Sequence, residues 1–92
     1  MSYTVVWTNP AMTEYRKLRS QDRPAATTVG DAVRALAIDP RPPASGQLGT
    51  TEFRRLRAGA FRILYRLDDE ASTVVIEHLG RIPADEPSAW PH

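Results

Sequence analysis

The chain contains no cysteine, which removes disulfides and thiolate metal sites and leaves its redox compartment unmarked. It has two histidines, one of them the final residue, so imidazole chemistry near neutral pH rests on His78. No apolar run approaches the roughly 20 residues that a membrane-spanning helix needs, and no basic-then-apolar leader opens the sequence. A net charge of only +1 supplies no global field for attracting nucleic acid. Lysine is nearly absent, since eleven of the twelve basic residues are arginine. The 92 residues, 41% hydrophobic and 25% charged, suit a single modest core. The expectation is one cytoplasmic domain with no membrane segment, no metal and no cofactor.

What the chain does have is a local concentration of one charge. The stretch "EFRRLRAGAFRILYRL", Glu52 to Leu67, places Arg54, Arg55, Arg57, Arg62 and Arg66 within thirteen residues. From Phe53 to Leu67 there is no acid, and Asp68, Asp69 and Glu70 follow at once. A basic strip of this kind is what a phosphate backbone needs, whatever the net charge of the whole.

The elements around the strip follow from local pattern. "YTVVWT", Tyr3 to Thr8, is β-branched and aromatic and reads as a strand. Asn9-Pro10 opens a helix, with Asn9 at the cap and proline in the first helical position. Ala11, Tyr15 and Leu18 recur at helical spacing, and Asp22 is the expected cap of a second helix. That helix carries Val29, Ala32, Val33 and Leu36 despite an interior Gly30. Residues Asp39 to Thr51 hold three prolines and two glycines and read as a loop. Strands are expected over about Glu52–Ala58, Phe61–Leu67 and Thr73–Leu79, joined by hairpin-length turns. The expected fold is α+β, β-α-α-β-β-β, a four-stranded antiparallel sheet with a helical hairpin packed on one face. Residues 1–81 form the domain and 82–92 an irregular tail.

Period two sorts the strip into faces. Phe61, Ile63, Tyr65 and Leu67 point one way, and Arg62, Leu64 and Arg66 the other. In the preceding strand Leu56 separates Arg55 from Arg57. Two helices cover only one side of such a sheet, and the apolar side goes there. Arg55, Arg57, Arg62 and Arg66 are left on the open side, where they repel one another unless an anion lies among them.

These pieces, in this order, resemble the RelE/ParE toxin superfamily of bacterial type II toxin–antitoxin systems. The matching residues are "YTVVWT", the helical pair, "IDPRPPASGQLG", "RRLRAGAFRILYRLDDE" and "TVVIEHLGR", covering about residues 3 to 81. The resemblance implies a small toxin neutralised by a cognate antitoxin protein, in a toxin–antitoxin hetero-oligomer. Its RelE-like branch, favoured here, implies an endoribonuclease that cleaves mRNA on the ribosome and so inhibits translation. The ParE-like branch implies a DNA gyrase poison, and a catalytically silent antitoxin-binding module is a third alternative. The resemblance also implies basic residues on the open face, with Arg55, Arg62 and Arg81 at the matching positions. Many members end with a catalytic tyrosine past the last arginine. This chain has none there, and Trp90 is the one aromatic beyond Arg81, which leaves the acid–base role open.

Metal-free cleavage through the neighbouring 2′-hydroxyl needs a base, an acid and cationic stabilisation of a crowded phosphorane. Arginine suits the last task, because its planar fork holds two phosphate oxygens and keeps its charge. Arg62 and Arg81 are therefore the expected phosphate stabilisers, with Arg55, Arg57 and Arg66 binding the RNA backbone. His78 is the candidate proton carrier, three residues before Arg81. Strict alternation from Val74 and Ile76 would turn His78 toward the helices and Glu77 toward the arginines, unless a bulge or twist at the strand end reverses it. Arg57 or Arg66 could also pair with Glu77 or Asp68 across strands.

Overall fold

A computed structural model describes residues 2–83. Chain order is strand β1 (Thr4–Trp7), helix α1 (Asn9–Gln21), helix α2 (Arg23–Leu36), and strands β2 (Ser45–Gln47), β3 (Phe53–Ala58), β4 (Phe61–Asp68) and β5 (Thr73–Arg81). The part of the expected tail that spans 84–92 lies outside the described residues.

Five strands form one sheet in the order β1-β5-β4-β3-β2. This corrects the expected four-stranded antiparallel sheet in two respects. The segment read as a loop contributes β2, and β1 runs parallel to β5. Ser-Gly-Gln has no β-branched or aromatic residue to announce a strand. Tertiary contacts hold it instead: Arg54 Nη2 donates to Ser45 Oγ (2.8 Å), and in the connection before it the Tyr65 hydroxyl donates to the Pro40 carbonyl (2.8 Å).

Helix α1 is capped by Thr8, not by Asn9. The Thr8 hydroxyl oxygen accepts from the Ala11 amide (3.3 Å), and Pro10 falls in the first turn, where its missing N–H costs nothing. Asp22 caps α2 as expected, accepting from the Ala25 amide (3.1 Å). The helices meet closely at Gly30, where an added Cβ would stand 3.0 Å from the Tyr15 hydroxyl oxygen. Tyr15 in turn packs against Trp7, ring centroids 5.1 Å apart. Between β3 and β4, Gly59 takes a φ of 62° in a two-residue turn, a backbone that side chains resist.

One face of the sheet is covered by the helices. Leu56, Phe61, Ile63, Tyr65, Val74, Ile76 and Leu79 are buried there against Ala11, Leu18, Ala26, Val29, Val33 and Leu36. Tyr15 packs at the margin of this core, half-buried. No helix among the described residues is long and apolar enough to cross a membrane.

Candidate nucleic-acid interface

The open face is assembled by strand alternation. On β3, Leu56 is buried, which sends Arg55 and Arg57 to the other side. On β4, buried Phe61, Ile63 and Tyr65 alternate with Arg62, Leu64 and Arg66. Register pairs Arg57 with Arg62 and Arg55 with Leu64, so three guanidinium groups come from adjacent positions of two strands. Arg54 shows the opposite parity. It lies on the helix side, with Nε donating to the Tyr65 hydroxyl (3.3 Å) and Nη2 to Ser45.

His78 joins this face because β5 does not alternate strictly. Leu64 pairs with His78 but the next residue, Tyr65, pairs with Ile76, so Glu77 is the extra residue of a β-bulge. Two consecutive residues, Glu77 and His78, therefore face away from the helices, between buried Ile76 and buried Leu79. The parity that would have buried His78 holds only as far as Ile76. The signal was present in the apolar spacing of "VVIEHLG", where Val74, Ile76 and Leu79 are two and then three residues apart. Thr8 braces the bulge. Its amide donates to the Ile76 carbonyl (3.0 Å), and its hydroxyl donates to the Glu77 carbonyl (3.0 Å) while capping α1.

Arg55, Arg62, Leu64, His78, Leu79 and Gly80 line one pocket of about 340 Å³. Gly80 pairs with Arg62, and an added Cβ there would meet nothing within 4 Å. The pocket thus brings together one imidazole and two guanidinium groups above a half-apolar floor. Such a site can hold a phosphodiester and move a proton on or off it.

Two of the expected site residues lie elsewhere. Arg66 shares the open face, but its Nε donates to Glu77 (2.8 Å) and lies 3.8 Å from Glu52, so its charge is already answered. Arg81 pairs in register with Phe61 and sits on the helix side, its guanidinium 4.7 Å from the centre of the Phe61 ring. The bulge that brings His78 out turns Arg81 in. The two expected phosphate stabilisers, Arg62 and Arg81, are thus placed on opposite faces of the sheet. Glu77 was foreseen as a partner for arginine, and it takes Arg66. No group of three or more histidine, aspartate or glutamate residues that could hold a metal ion occurs among the described residues.

A second polar cluster closes the far end of the sheet. Asp69 accepts from the Tyr3 hydroxyl (2.7 Å) and from Arg41 (2.8 Å). The Tyr3 hydrogen bond, followed by Arg41, holds the Asp69 carboxyl below its ordinary range. The same bond raises the pKa of Tyr3. These contacts tie β1, the α2–β2 connection and the β4–β5 turn together.

Comparison with known proteins places this architecture. The family described as the ParE toxin of type II toxin–antitoxin systems matches residues 5–81. The chain belongs to that family. Among solved structures, the RelBE2 toxin–antitoxin complex from Mycobacterium tuberculosis matches with a TM-score of 0.74 and 27% identity, over 88% of this chain and 99% of that one. The isolated E. coli RelE toxin matches with a TM-score of 0.77 and 21% identity, over 92% and 89%. An archaeal RelE–RelB complex from Pyrococcus horikoshii matches with a TM-score of 0.78 and 18% identity, over 91% and 99%. A comparison with curated proteins finds no sequence match. The RelE/ParE superfamily and its α+β fold are thereby shown, and this ParE-family chain is a toxin of a type II system.

Proposed function

We propose that this ParE-family toxin is a metal-independent endoribonuclease that cuts mRNA on the ribosome. The observation that carries the reading is the bulge at Glu77, which puts His78 into the same pocket as Arg55 and Arg62. His78 performs one of the two proton transfers, removing the 2′ proton or protonating the departing 5′ oxygen. Arg62, at mid-strand, stabilises the charge that builds on the phosphorane as the 2′ oxygen bonds to phosphorus and the 5′ oxygen leaves. Arg55 and Arg57 grip the flanking backbone. Arg66 and Arg81 drop out of this centre, one paired with Glu77 and the other on the helix side.

Gyrase poisoning is the competing reading, favoured by the ParE description of the family that matches. Induction without antitoxin decides between them, with mRNA 5′ ends mapped and plasmid supercoiling followed in parallel. New 5′ ends within open reading frames support cleavage; growth arrest with unbroken mRNA and disturbed supercoiling supports gyrase poisoning. Ribosome and mRNA as targets place the action in the cytoplasm.

The partner expected for such a toxin is a cognate antitoxin. The solved relatives from Mycobacterium tuberculosis and Pyrococcus horikoshii are toxin–antitoxin complexes, and the open-face arginines suit an acid-rich segment. Co-expression with the neighbouring open reading frame should restore growth and yield a co-purifying complex.

A further inference from the structure

Beside the arginine cluster, the next row of open-face residues has a different character, and the cleavage chemistry does not use it. Arg54 faces the helix side, so its neighbour Phe53 turns its half-buried ring to the open side. Register pairs Phe53 with Arg66, Arg66 with Val75 and Val75 with Val6, a single row across four strands. The one cation in that row stands between two carboxylates, Glu77 at 2.8 Å and Glu52 at 3.8 Å. A phosphate placed there would meet both acids, whereas a flat, uncharged ring would meet phenylalanine and valine. Two residues further along β3, on the same face, is Arg55 of the pocket. The strand rise separates the two by about 6.8 Å, comparable to the distance from a phosphate to its own base within one nucleotide.

We propose that Phe53 is a base platform, stacking on the unpaired base of a nucleotide whose phosphate Arg55 holds. The open face then has a phosphate end, at Arg55, Arg57 and Arg62, and a base end, at Phe53. The ligand is single-stranded RNA, because in a duplex both faces of each base are covered by neighbours and only the backbone is offered. This inference rests on the reading of the open face as an RNA site.

The test uses the full chain, a short 2′-O-methyl single-stranded RNA that cannot be cut, and a duplex of the same sequence. Phe53→Leu, which keeps apolar bulk and removes the aromatic face, should weaken single-strand binding roughly tenfold or more. Duplex binding and the salt dependence should stay as in the parent, because no ionic contact is lost. Phe53→Trp should bind the single strand at least as well as the parent. Parent-like single-strand binding by Phe53→Leu would overturn the platform, as would equal losses on strand and duplex. If Phe53→Leu fails to fold, Phe53→Trp decides: weaker binding at an unchanged melting temperature overturns the proposal. A parent chain that cuts mRNA while Phe53→Leu binds normally removes the platform alone. A parent that binds no RNA and disturbs supercoiling removes the RNA reading and the platform together.

Discussion

The two faces of the sheet are made by alternate residues of the same strands, yet arginine has a different fate on each. On the helix side, Arg54 is spent on Tyr65 and Ser45, and Arg81 lies over the Phe61 ring. On the open side, Arg55 and Arg62 converge with His78 on one pocket, and Arg57 stands opposite Arg62. Composition does not distinguish them, since all are arginines of one basic strip or its neighbouring strand. The helix-side arginines contact residues of the core side and of β2, while the open-side ones are gathered with His78 on the other face. The packed core and the candidate site thus lie on two faces only one side chain apart along the strand.

The sharpest way to break that division is to truncate one residue on each face. Ile63 is fully buried on the helix side, so Ile63→Ala should cost about 2–5 kcal/mol in denaturant unfolding. Toxicity would fall with it because the fold is lost. Arg62→Ala, one residue away, should melt like the parent while cleavage drops by roughly 10²–10³, the scale for removing one preorganised stabiliser. Arg62→Ala with full cleavage and parental melting would remove Arg62 from the chemistry. A variant that unfolds would make Arg62 a structural residue and erase the contrast.

Thr8 sits at the seam of the two faces, capping α1 and donating to the bulge carbonyl at Glu77. Thr8→Val should cost about 1–2 kcal/mol. It should also lower cleavage beyond that loss of stability, because the bulge that exposes His78 loses its brace. Melting and mRNA cleavage measured on the same preparation test this, and unchanged cleavage at reduced stability would show that the bulge holds without Thr8.

Smaller effects are expected from the polar contacts that organise the edges. Tyr65→Phe removes the hydrogen bond to Pro40 and an acceptor for Arg54, and should cost about 1 kcal/mol without touching the open face. Urea titration measures the loss, and RNA binding should not change. At Asp69 the folded-state pKa lies below the ordinary 3.8. Its contribution to stability is therefore present above the unfolded pKa and lost as pH falls through the lower folded value. Asp69→Asn should narrow the gap between parent and variant as pH drops below 3.8, and exposure keeps the effect small. An equal gap at neutral and acid pH would assign the cluster no electrostatic role.

Much of this was legible from local pattern. The helical pair, the Asp22 cap and the three C-terminal strands follow from spacing and turn residues, and so does the division of Leu56, Ile63 and Tyr65 from Arg55 and Arg62. The helix start shifted by one residue because Thr8, and not Asn9, offers its oxygen to the first turn. Strand β2 was not legible at all, since three residues of low strand propensity are held by pairing with β3 and by the Arg54 side chain. For Arg66 the pattern offered Glu77 as a partner beside the phosphate role, and for Arg81 it showed charge without the face it would take.

What the sequence determined by itself is the set of alternations: which residues of β3 and β4 are apolar, and hence which face the helices must cover. That follows from the two-residue period of a strand and the cost of leaving apolar area in water. The spacing of Val74, Ile76 and Leu79 marks an interruption, but tertiary structure decided that it is a bulge and which residues it turns out. A bulge is one extra residue measured against a partner strand, so it exists only once β5 is registered on β4 and braced by Thr8. That single interruption turns His78 toward Arg62 and Arg81 away from it, and with them the composition of the candidate site.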